Sequence, residues 1–209
     1  MIKRLVFFIF IALVFVAPLA YAQQSAYITS NLELKVDWIY FTDDAFGDID
    51  LEDGIYVGLA GWVPVFFPNF FVGAEAGWAY ASSDGEIDSA FGRLDTDVDV
   101  TYVPVELNAK YVIPIDPCWM ISLGGGISFN YFSLDVDVED FSSDEDDWVF
   151  GGQFFADVTY KFPNSPWFVG IGTKYQITED LEYHQDDLDI DTNVSASNFR
   201  TGVRVGMMF

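Results

Sequence analysis

The 209-residue sequence is poor in basic side chains, cysteine and histidine. It has 9 Lys and Arg residues against 33 Asp and Glu, which gives a formal net charge of −24. Such a chain lacks the basic surface that displaces counterions from phosphates, so a nucleic-acid-binding role is excluded. The one cysteine, Cys118, has no partner for an internal disulfide, and with the one histidine, His184, it matches no zinc-ligand spacing. No metal site and no cofactor are predicted.

Long apolar runs are also scarce, because the only one occupies residues 5–17. It follows Lys3 and Arg4 and precedes an Ala20-Tyr21-Ala22 cleavage pattern. The run is shorter than the roughly 18 apolar residues that a membrane-spanning helix needs. We therefore expect residues 1–22 to be a secretory signal peptide and residues 23–209 to be one mature domain. An uncleaved membrane anchor is the alternative.

After residue 22 no helical periodicity is present, and alternation of apolar with polar or small residues takes its place. Period-two alternation predicts strands at 32–42, 54–63, 70–81, 98–111, 119–134, 148–162, 168–178 and 194–209. Short proline-containing connections alternate with long acidic ones at 43–53, 82–97, 135–147 and 179–193. The even strand count and the alternating connections predict an all-β fold, an eight-stranded antiparallel up-and-down transmembrane β-barrel.

One face of these strands carries small residues and nearly balanced charges, while the other carries bulky apolar ones. The interior of an eight-stranded barrel is narrow, so we expect the small and charged face to line the lumen and the bulky residues to face lipid. The predicted lumen ion-pair network consists of Glu33, Lys35, Asp37, Glu75, Glu106, Lys110, Asp157, Lys161, Lys174, Arg200 and Arg204. Paired charges would plug the barrel, whereas charges near its rims would only be solvated.

Toward the acidic connections, the outward positions of three strands become acidic and the inward ones apolar. A barrel leaving lipid for water would show such a change, so we predict an extended collar. Its predicted lining is Leu94, Val98, Val100, Leu134, Val136, Val138, Leu188, Ile190 and Val194. Two interpretations are open, a pocket or vestibule for a hydrophobic ligand and a collar packed on itself.

Three segments, VPVELNAKYVIP at 103–114, WMISLGGGISFNY at 119–131 and GVRVGMMF at 202–209, carry a family resemblance. The chain resembles the small outer-membrane β-barrel domain family, which includes OmpA transmembrane domains and OmpX-like porin-family proteins. The resemblance implies the Gram-negative bacterial outer membrane as location, with lipid and lipopolysaccharide as surroundings. It also implies insertion by the outer-membrane assembly machinery, for which the terminal Phe209 would be the signal.

The expected function is a structural or surface-interaction role, in envelope integrity or adhesion, for a barrel with a closed, ion-paired lumen. An OmpW-like conduit or binder for small hydrophobic compounds is the alternative suggested by the apolar collar. A lipid A-modifying hydrolase using His184 is a third hypothesis, but no nucleophile motif accompanies that histidine. We therefore expect that the protein is not an enzyme. The acidic stretches lack the Gly and Glu spacing of an EF-hand loop.

Overall fold

The computed structural model describes residues 29–43, 53–89, 92–138, 141–185 and 190–209. Its strands are β1 (Asn31–Phe41), β2 (Asp53–Pro64), β3 (Phe70–Ser89), β4 (Gly92–Pro114), β5 (Trp119–Val138), β6 (Phe141–Lys161), β7 (Trp167–Thr178), β8 (Asp180–Gln185), β9 (Ile190–Ser195) and β10 (Asn198–Met208). The predicted leader, residues 1–22, lies outside the described residues. Within the described ranges, no helix is long and apolar enough to cross a membrane.

Eight strands form one closed antiparallel barrel, in the order β1, β10, β7, β6, β5, β4, β3 and β2. The ring closes where β1 pairs with β10, with Asn31 opposite Met208 and Phe41 opposite Asn198. Because the barrel is closed, each strand has a neighbour on both sides, and its backbone N–H and C=O groups find hydrogen-bond partners there. The predicted all-β, eight-stranded antiparallel fold is confirmed.

The two ends of the barrel differ in their connections. At the turn end, β2–β3, β4–β5 and β6–β7 are joined by short turns at 65–69, 115–118 and 162–166. The start of β1 and the end of β10 lie there too, and the backbone N–H of Phe209 donates to Ser30 O at 2.9 Å. At the opposite end, called the hairpin end, the last residues of β3 and β5 pair with the first residues of β4 and β6.

The acidic stretches at the hairpin end are largely strand, contrary to the prediction of loops at 82–97 and 135–147. Strands β3 to β6 have 20 to 23 residues, whereas β1, β2, β7 and β10 have 11 or 12. Ser89 lies opposite Gly92, and Val138 lies opposite Phe141. Alternation of Asp with Val and Thr suits a strand, and antiparallel pairing supplies backbone partners that a loop would have to find in water. The acidity of these stretches therefore did not mark loops.

The last predicted strand, 194–209, is interrupted. Its first residues belong to β9, which pairs with β8 in a separate two-stranded sheet. Ala196, Ser197 and Asn198 are all buried, so the alternation of faces fails at this junction. The backbone N–H of Ser195 donates to Asp43 Oδ2 at 2.8 Å, which ties the base of the β8–β9 hairpin to the end of β1. The face pattern of β10 therefore does not continue unbroken into β9.

The outer face of the barrel is apolar and has two bands of aromatic side chains. The hairpin-end aromatic band consists of Trp38, Tyr40, Trp78, Tyr80, Phe129, Tyr131 and Trp148. The turn-end aromatic band consists of Tyr111, Trp119, Tyr160, Phe162 and Trp167. Between the bands the exposed side chains include Leu34, Leu59, Leu107, Ile127, Ile171 and Val203. Two aromatic bands around an apolar zone are the surface pattern of a barrel that spans a membrane.

Candidate functional site in the barrel lumen

The lumen holds a layer of buried charges. Ten of the eleven residues of the predicted ion-pair network are buried, whereas Lys161 is only half-buried, at the turn end of β6. Lys161 has the inward parity of its strand, but it lies in the last position before the turn, where water is within reach. The ten buried residues are five acids and five bases, Glu33, Asp37, Glu75, Glu106, Asp157, Lys35, Lys110, Lys174, Arg200 and Arg204. Their formal charges therefore cancel.

Two glutamates form the centre of this charged layer. The Glu75 Oε2 atom lies 2.6 Å from Lys35 Nζ and 2.9 Å from Lys174 Nζ. Glu106 forms ion pairs with Lys174 and, through Oε1, with the Arg200 guanidinium. Lys174 thus bridges the two carboxylates, which come from neighbouring strands and lie opposite each other in the β3–β4 register. This sharing compensates two acids that would otherwise repel each other.

Further contacts extend the charged layer toward the turn end. Glu33 accepts a hydrogen bond from Trp62 Nε1 at 2.8 Å and lies 3.4 Å from Lys35 Nζ. The ammonium of Lys110 sits 3.8 Å from the centre of the Trp62 ring, close enough for a cation–π interaction. On the other side of the lumen, Arg204 pairs with Asp157 at 2.8 Å. The sequence could predict which residues face inward, but it could not predict these partners, because partners depend on strand register.

A layer of neutral hydrogen-bonding side chains lies next to the charges, and the sequence analysis missed it. Tyr102 Oη donates to Asn130 Oδ1 at 2.9 Å and is 2.8 Å from Gln176 Oε1. Asn130 Nδ2 donates to Ser128 Oγ at 3.0 Å. Arg200 Nη2 is 3.0 Å from Gln176 Oε1, so the guanidinium joins the neutral layer to Glu106. The signal that could have revealed this layer is the alternation of faces. Tyr102 and Gln176 share the inward face of their strands with Glu106 and Lys174, and Ser128 and Asn130 lie on the inward face of β5.

Large aromatic side chains also enter the lumen, which differs from the expectation that small and charged residues line it and bulky ones face lipid. Tyr56 is fully buried, and its ring lies where side chains at Gly58 and Gly77 would be. Trp62 occupies the equivalent space beside Gly73. Phe155 and Phe168 lie against other glycines in the same way. The inward glycines therefore leave room for aromatic rings from neighbouring strands, and the narrow interior is filled by pairing large with small.

Two apolar layers enclose the polar layers. The hairpin-end apolar layer consists of Ile39, Phe41, Tyr56, Ala79, Ala81, Val100, Tyr102, Phe132, Val149 and Ala196. The turn-end apolar layer consists of Ala60, Trp62, Phe71, Val112, Met120, Phe155, Phe168 and Met208. Their members are buried, and the rings of Phe41 and Phe132 meet edge to face with centroids 6.3 Å apart. From the turn end to the hairpin end, the order of the layers is therefore apolar, charged, neutral polar and apolar.

Among the predicted collar residues, only Val100 has a described side chain, and it is buried in the hairpin-end apolar layer. The β4–β5 register places Val100 opposite Leu134 and Val98 opposite Val136, so these collar residues are brought together in the backbone. Leu188 lies outside the described residues. The side chains of the remaining collar residues, Leu94, Val98, Leu134, Val136, Val138, Ile190 and Val194, lie outside the described part as well.

The residues considered for chemistry do not come together. In the β8–β9 register, His184 lies opposite Asp191, while the nearest serine, Ser195, lies opposite Asp180 at the base of the hairpin. About four residues of strand, some 13 Å, separate the two levels. Cys118 is a free thiol in the β4–β5 turn. Among the described residues, no group of three or more His, Cys, Asp or Glu side chains is arranged to hold a metal ion.

Residues 7–209 match the family described as "Outer membrane protein beta-barrel domain". The fold is similar to the crystal structure of Neisserial surface protein A (NspA), with a TM-score of 0.55 and 11% identity over 86% of this chain and 97% of that one. It is also similar to the outer membrane protein OprG from Pseudomonas aeruginosa, with a TM-score of 0.51 and 14% identity over 88% of this chain and 98% of that one. No curated protein sequence matches the chain at a significant level. Because the family match spans almost the whole sequence, the chain belongs to the outer membrane protein β-barrel domain family.

Proposed function

We propose that the protein is an outer-membrane barrel whose lumen is closed to solutes and whose role is structural or surface-interacting. The observation that supports this best is the charged layer held between two apolar layers inside the barrel. An aqueous channel needs a continuous hydrated path, as in the wide barrels of porins. Here most of the charges are paired with one another, and packed apolar side chains close the lumen beyond the polar layers at both ends.

The sharing of partners supports closure as well. Glu75 is contacted by Lys35 and Lys174, and Glu106 by Lys174 and Arg200. Rotation of one side chain out of this set would leave buried charges without compensation, which costs several kcal/mol, about 3–5 for one lost partner. A passing ion would have to separate several such pairs at once. The layer therefore favours a closed barrel over a conducting one.

The surface role rests on the hairpin end. From Tyr80, in the hairpin-end aromatic band, β3 continues to Ser89, about 30 Å of strand at roughly 3.3 Å per residue. Residues 82–99 and 135–147 are rich in Asp and Glu, and the whole chain carries a net charge of −24. Such a surface attracts cationic partners and repels anionic ones through its long-range field. We include outer-membrane lipid and lipopolysaccharide among its surroundings, and the assembly machinery as a transient partner that would recognise Phe209.

Planar-bilayer recording tests the closed lumen. The unaltered barrel should give no large, stable conductance at moderate voltage, because its lumen lacks a hydrated path. A variant with Phe132, Glu106, Arg200 and Phe155 all replaced by serine is the positive control, since it shortens side chains in both apolar layers and in the charged layer between them. Val203→Ser, on the outer face beside Arg204, is the negative control. Large stable conductance from the unaltered protein would contradict a closed lumen.

The surface role has its own test. In a shortened barrel, residues 83–97 and 135–146 are each replaced by a short uncharged turn. Cells bearing the unaltered or the shortened barrel are then allowed to settle on cationic or anionic surfaces. Retention on the cationic surface should fall for the shortened barrel, while heat-modifiable gel mobility should show that it still folds. Equal retention of the two barrels on both surfaces would exclude an electrostatic surface role for the long strands.

A second candidate function is a conduit or binder for small hydrophobic compounds. The register favours it, because collar residues from β4 and β5 lie opposite each other just beyond the short strands of the barrel. Asparagine at Val136 and Val138 should slow uptake of hydrophobic solutes by cells, whereas asparagine at exposed Ile171, in the lipid-facing zone, should leave uptake unchanged. Uptake unaffected by the collar substitutions would leave the closed structural barrel as the proposal.

A further inference from the structure

We propose that the β2–β3 turn, residues 65–69, is a membrane-interface anchor whose Phe66 and Phe67 side chains insert into the boundary between lipid headgroups and acyl chains at the turn end. The relative exposures of the two side chains are 92% and 71%, and Phe66 is the most exposed large apolar residue of the described chain. Neither ring packs against another described ring. Two adjacent phenylalanines left in water would be unfavourable, so a partner that covers them is required.

The turn holds the two rings in place through its backbone. Val65 N–H donates to Phe70 O at 2.9 Å, and Phe70 N–H donates to Phe67 O at 3.2 Å. Phe66 has a φ of 55°, in the left-handed region that a bulky residue rarely adopts. A glycine or asparagine would satisfy that backbone at lower cost, so the turn geometry does not explain the phenylalanine. Its side chain is the feature left to be explained.

Charge and continuity identify the partner as lipid. Residues 62–72 contain no charged side chain, so this turn can enter the interface without the cost of removing an ion from water. Val112 N–H donates to Asn69 O at 2.8 Å, which joins the turn to the end of β4, where Tyr111 and Ile113 are exposed on the outer face. The apolar surface of the turn is therefore continuous with the turn-end aromatic band, the surface that lipid covers. Trp and Tyr favour this depth of a bilayer, and Phe is among the apolar side chains that interfacial segments bury there.

The β6–β7 turn provides a matched comparison within the same molecule. Both turns contain a Phe-Pro-Asn sequence, at 67–69 and 162–164, and the asparagines have similar φ values, 65° for Asn69 and 56° for Asn164. The β6–β7 turn continues with Ser165 and Pro166 and carries no second phenylalanine at its tip. The two turns thus share a backbone motif and the same end of the barrel, but only one presents an apolar tip.

The test uses site-specific fluorescence in phospholipid vesicles. The full chain carries Cys118→Ser and, in separate variants, Phe67→Cys or Asn164→Cys labelled with an environment-sensitive nitrobenzoxadiazole dye. The label at residue 67 should have blue-shifted emission and be quenched more strongly by spin-labelled lipids, while the label at residue 164 should be quenched more strongly by aqueous iodide. Phe66→Cys, labelled in the same way, is the second variant in case the first does not fold, and heat-modifiable mobility verifies folding of each.

Two outcomes would overturn the proposal. If residues 66 and 67 matched residue 164 in emission and iodide quenching, the turn would lie in water. If their labels were shielded from both iodide and spin-labelled lipid, the turn would be covered by protein instead of by the membrane.

A further variant tests whether the two rings act together. Replacing Phe66 with serine should reduce the blue shift of a label at residue 67, because the remaining tip would insert less deeply. An unchanged shift in that variant would also count against insertion by the two rings together.

Discussion

Residues on the inner and outer faces of the same strands are stabilised in different ways. On β10, Arg204 is buried and paired with Asp157, while the next residue, Val205, is about half exposed on the outer face. On β4, Glu106 is buried among cations, while Leu107 is exposed. Inward residues depend on particular partners, so their replacement is judged by what remains unpaired. Outward residues depend on the surrounding medium, so their replacement is judged by polarity and depth.

The largest effect should come from removing a carboxylate of the charged layer. Glu106→Ala leaves Lys174 without one of its two partners and Arg200 without its closest one, and we expect a loss of about 3–5 kcal/mol in the free energy of unfolding. The neighbouring Leu107→Ala should cost far less, because acyl chains replace the lost contacts on the outer face. Urea titration of the two variants in lipid vesicles measures the difference. Equal losses would mean that the network contributes no more than a lipid-facing side chain.

A charge placed on the outer face should give the next largest effect, and it should depend on depth. Leu59 lies in the middle of β2, whereas Ile55 on the same strand lies opposite Trp38 and Tyr80 of the hairpin-end aromatic band. Leu59→Arg should destabilise the barrel by about 2–4 kcal/mol, and Ile55→Arg by about 0–1 kcal/mol. The measurement is again equilibrium unfolding in vesicles. If the order were reversed, the aromatic bands would not mark the edges of the apolar zone.

Filling a lumen glycine should cost less than removing a buried charge. A Cβ at Gly172 would meet the Arg204 guanidinium and Asp157, so Gly172→Ala must displace an ion pair, and we expect a loss of about 1–3 kcal/mol. Gly152, on the outward face of β6, is the control, because a Cβ there would have only Gly126 O nearby, at 3.7 Å. Thermal unfolding of the two alanine variants tests the comparison. A Gly152→Ala variant as unstable as Gly172→Ala would point to backbone effects rather than lumen packing.

The sequence could predict the fold because period two assigns each residue of a strand to one of two faces. The alternation of faces does not determine the register, that is, which residues of neighbouring strands lie opposite each other. The register decides that Lys174 meets both Glu75 and Glu106, and that the Tyr56 ring lies over glycines of its own and the neighbouring strand. Parity also has no information about depth, which is why Lys161 was placed with the buried charges although it lies beside the turn.

The acidic stretches were misread for a related physical reason. Asp and Glu are common in loops, but alternation of Asp with Val persists through 94–100 and 134–138, and the strands continue there. Alternation was thus the better guide than composition. The break at Ala196 and Ser197 had no comparable signal, because small polar residues suit both a strand and a bend. Its position follows from hydrogen bonds such as that between Ser195 and Asp43, which join segments far apart in the sequence.

The smallest effect that still separates the two faces should come from removing one hydroxyl. In Tyr102→Phe the former acceptors keep other donors, since Asn130 Oδ1 also accepts from Gln176 Nε2 and Gln176 Oε1 from Arg200, both at 3.0 Å. No buried acceptor is stranded, so the loss should stay near the net value of one hydrogen bond, about 1 kcal/mol. In Tyr80→Phe the lost bond joins exposed groups, where water replaces the donor to Asp99, and stability should change by less than about 0.5 kcal/mol. Parallel urea titrations decide the matter. If Tyr102→Phe lost much more than about 1 kcal/mol, the neutral polar layer would act as one cooperative unit with the charged layer. If the two variants lost the same amount, water would reach the lumen hydroxyl as readily as the outer one.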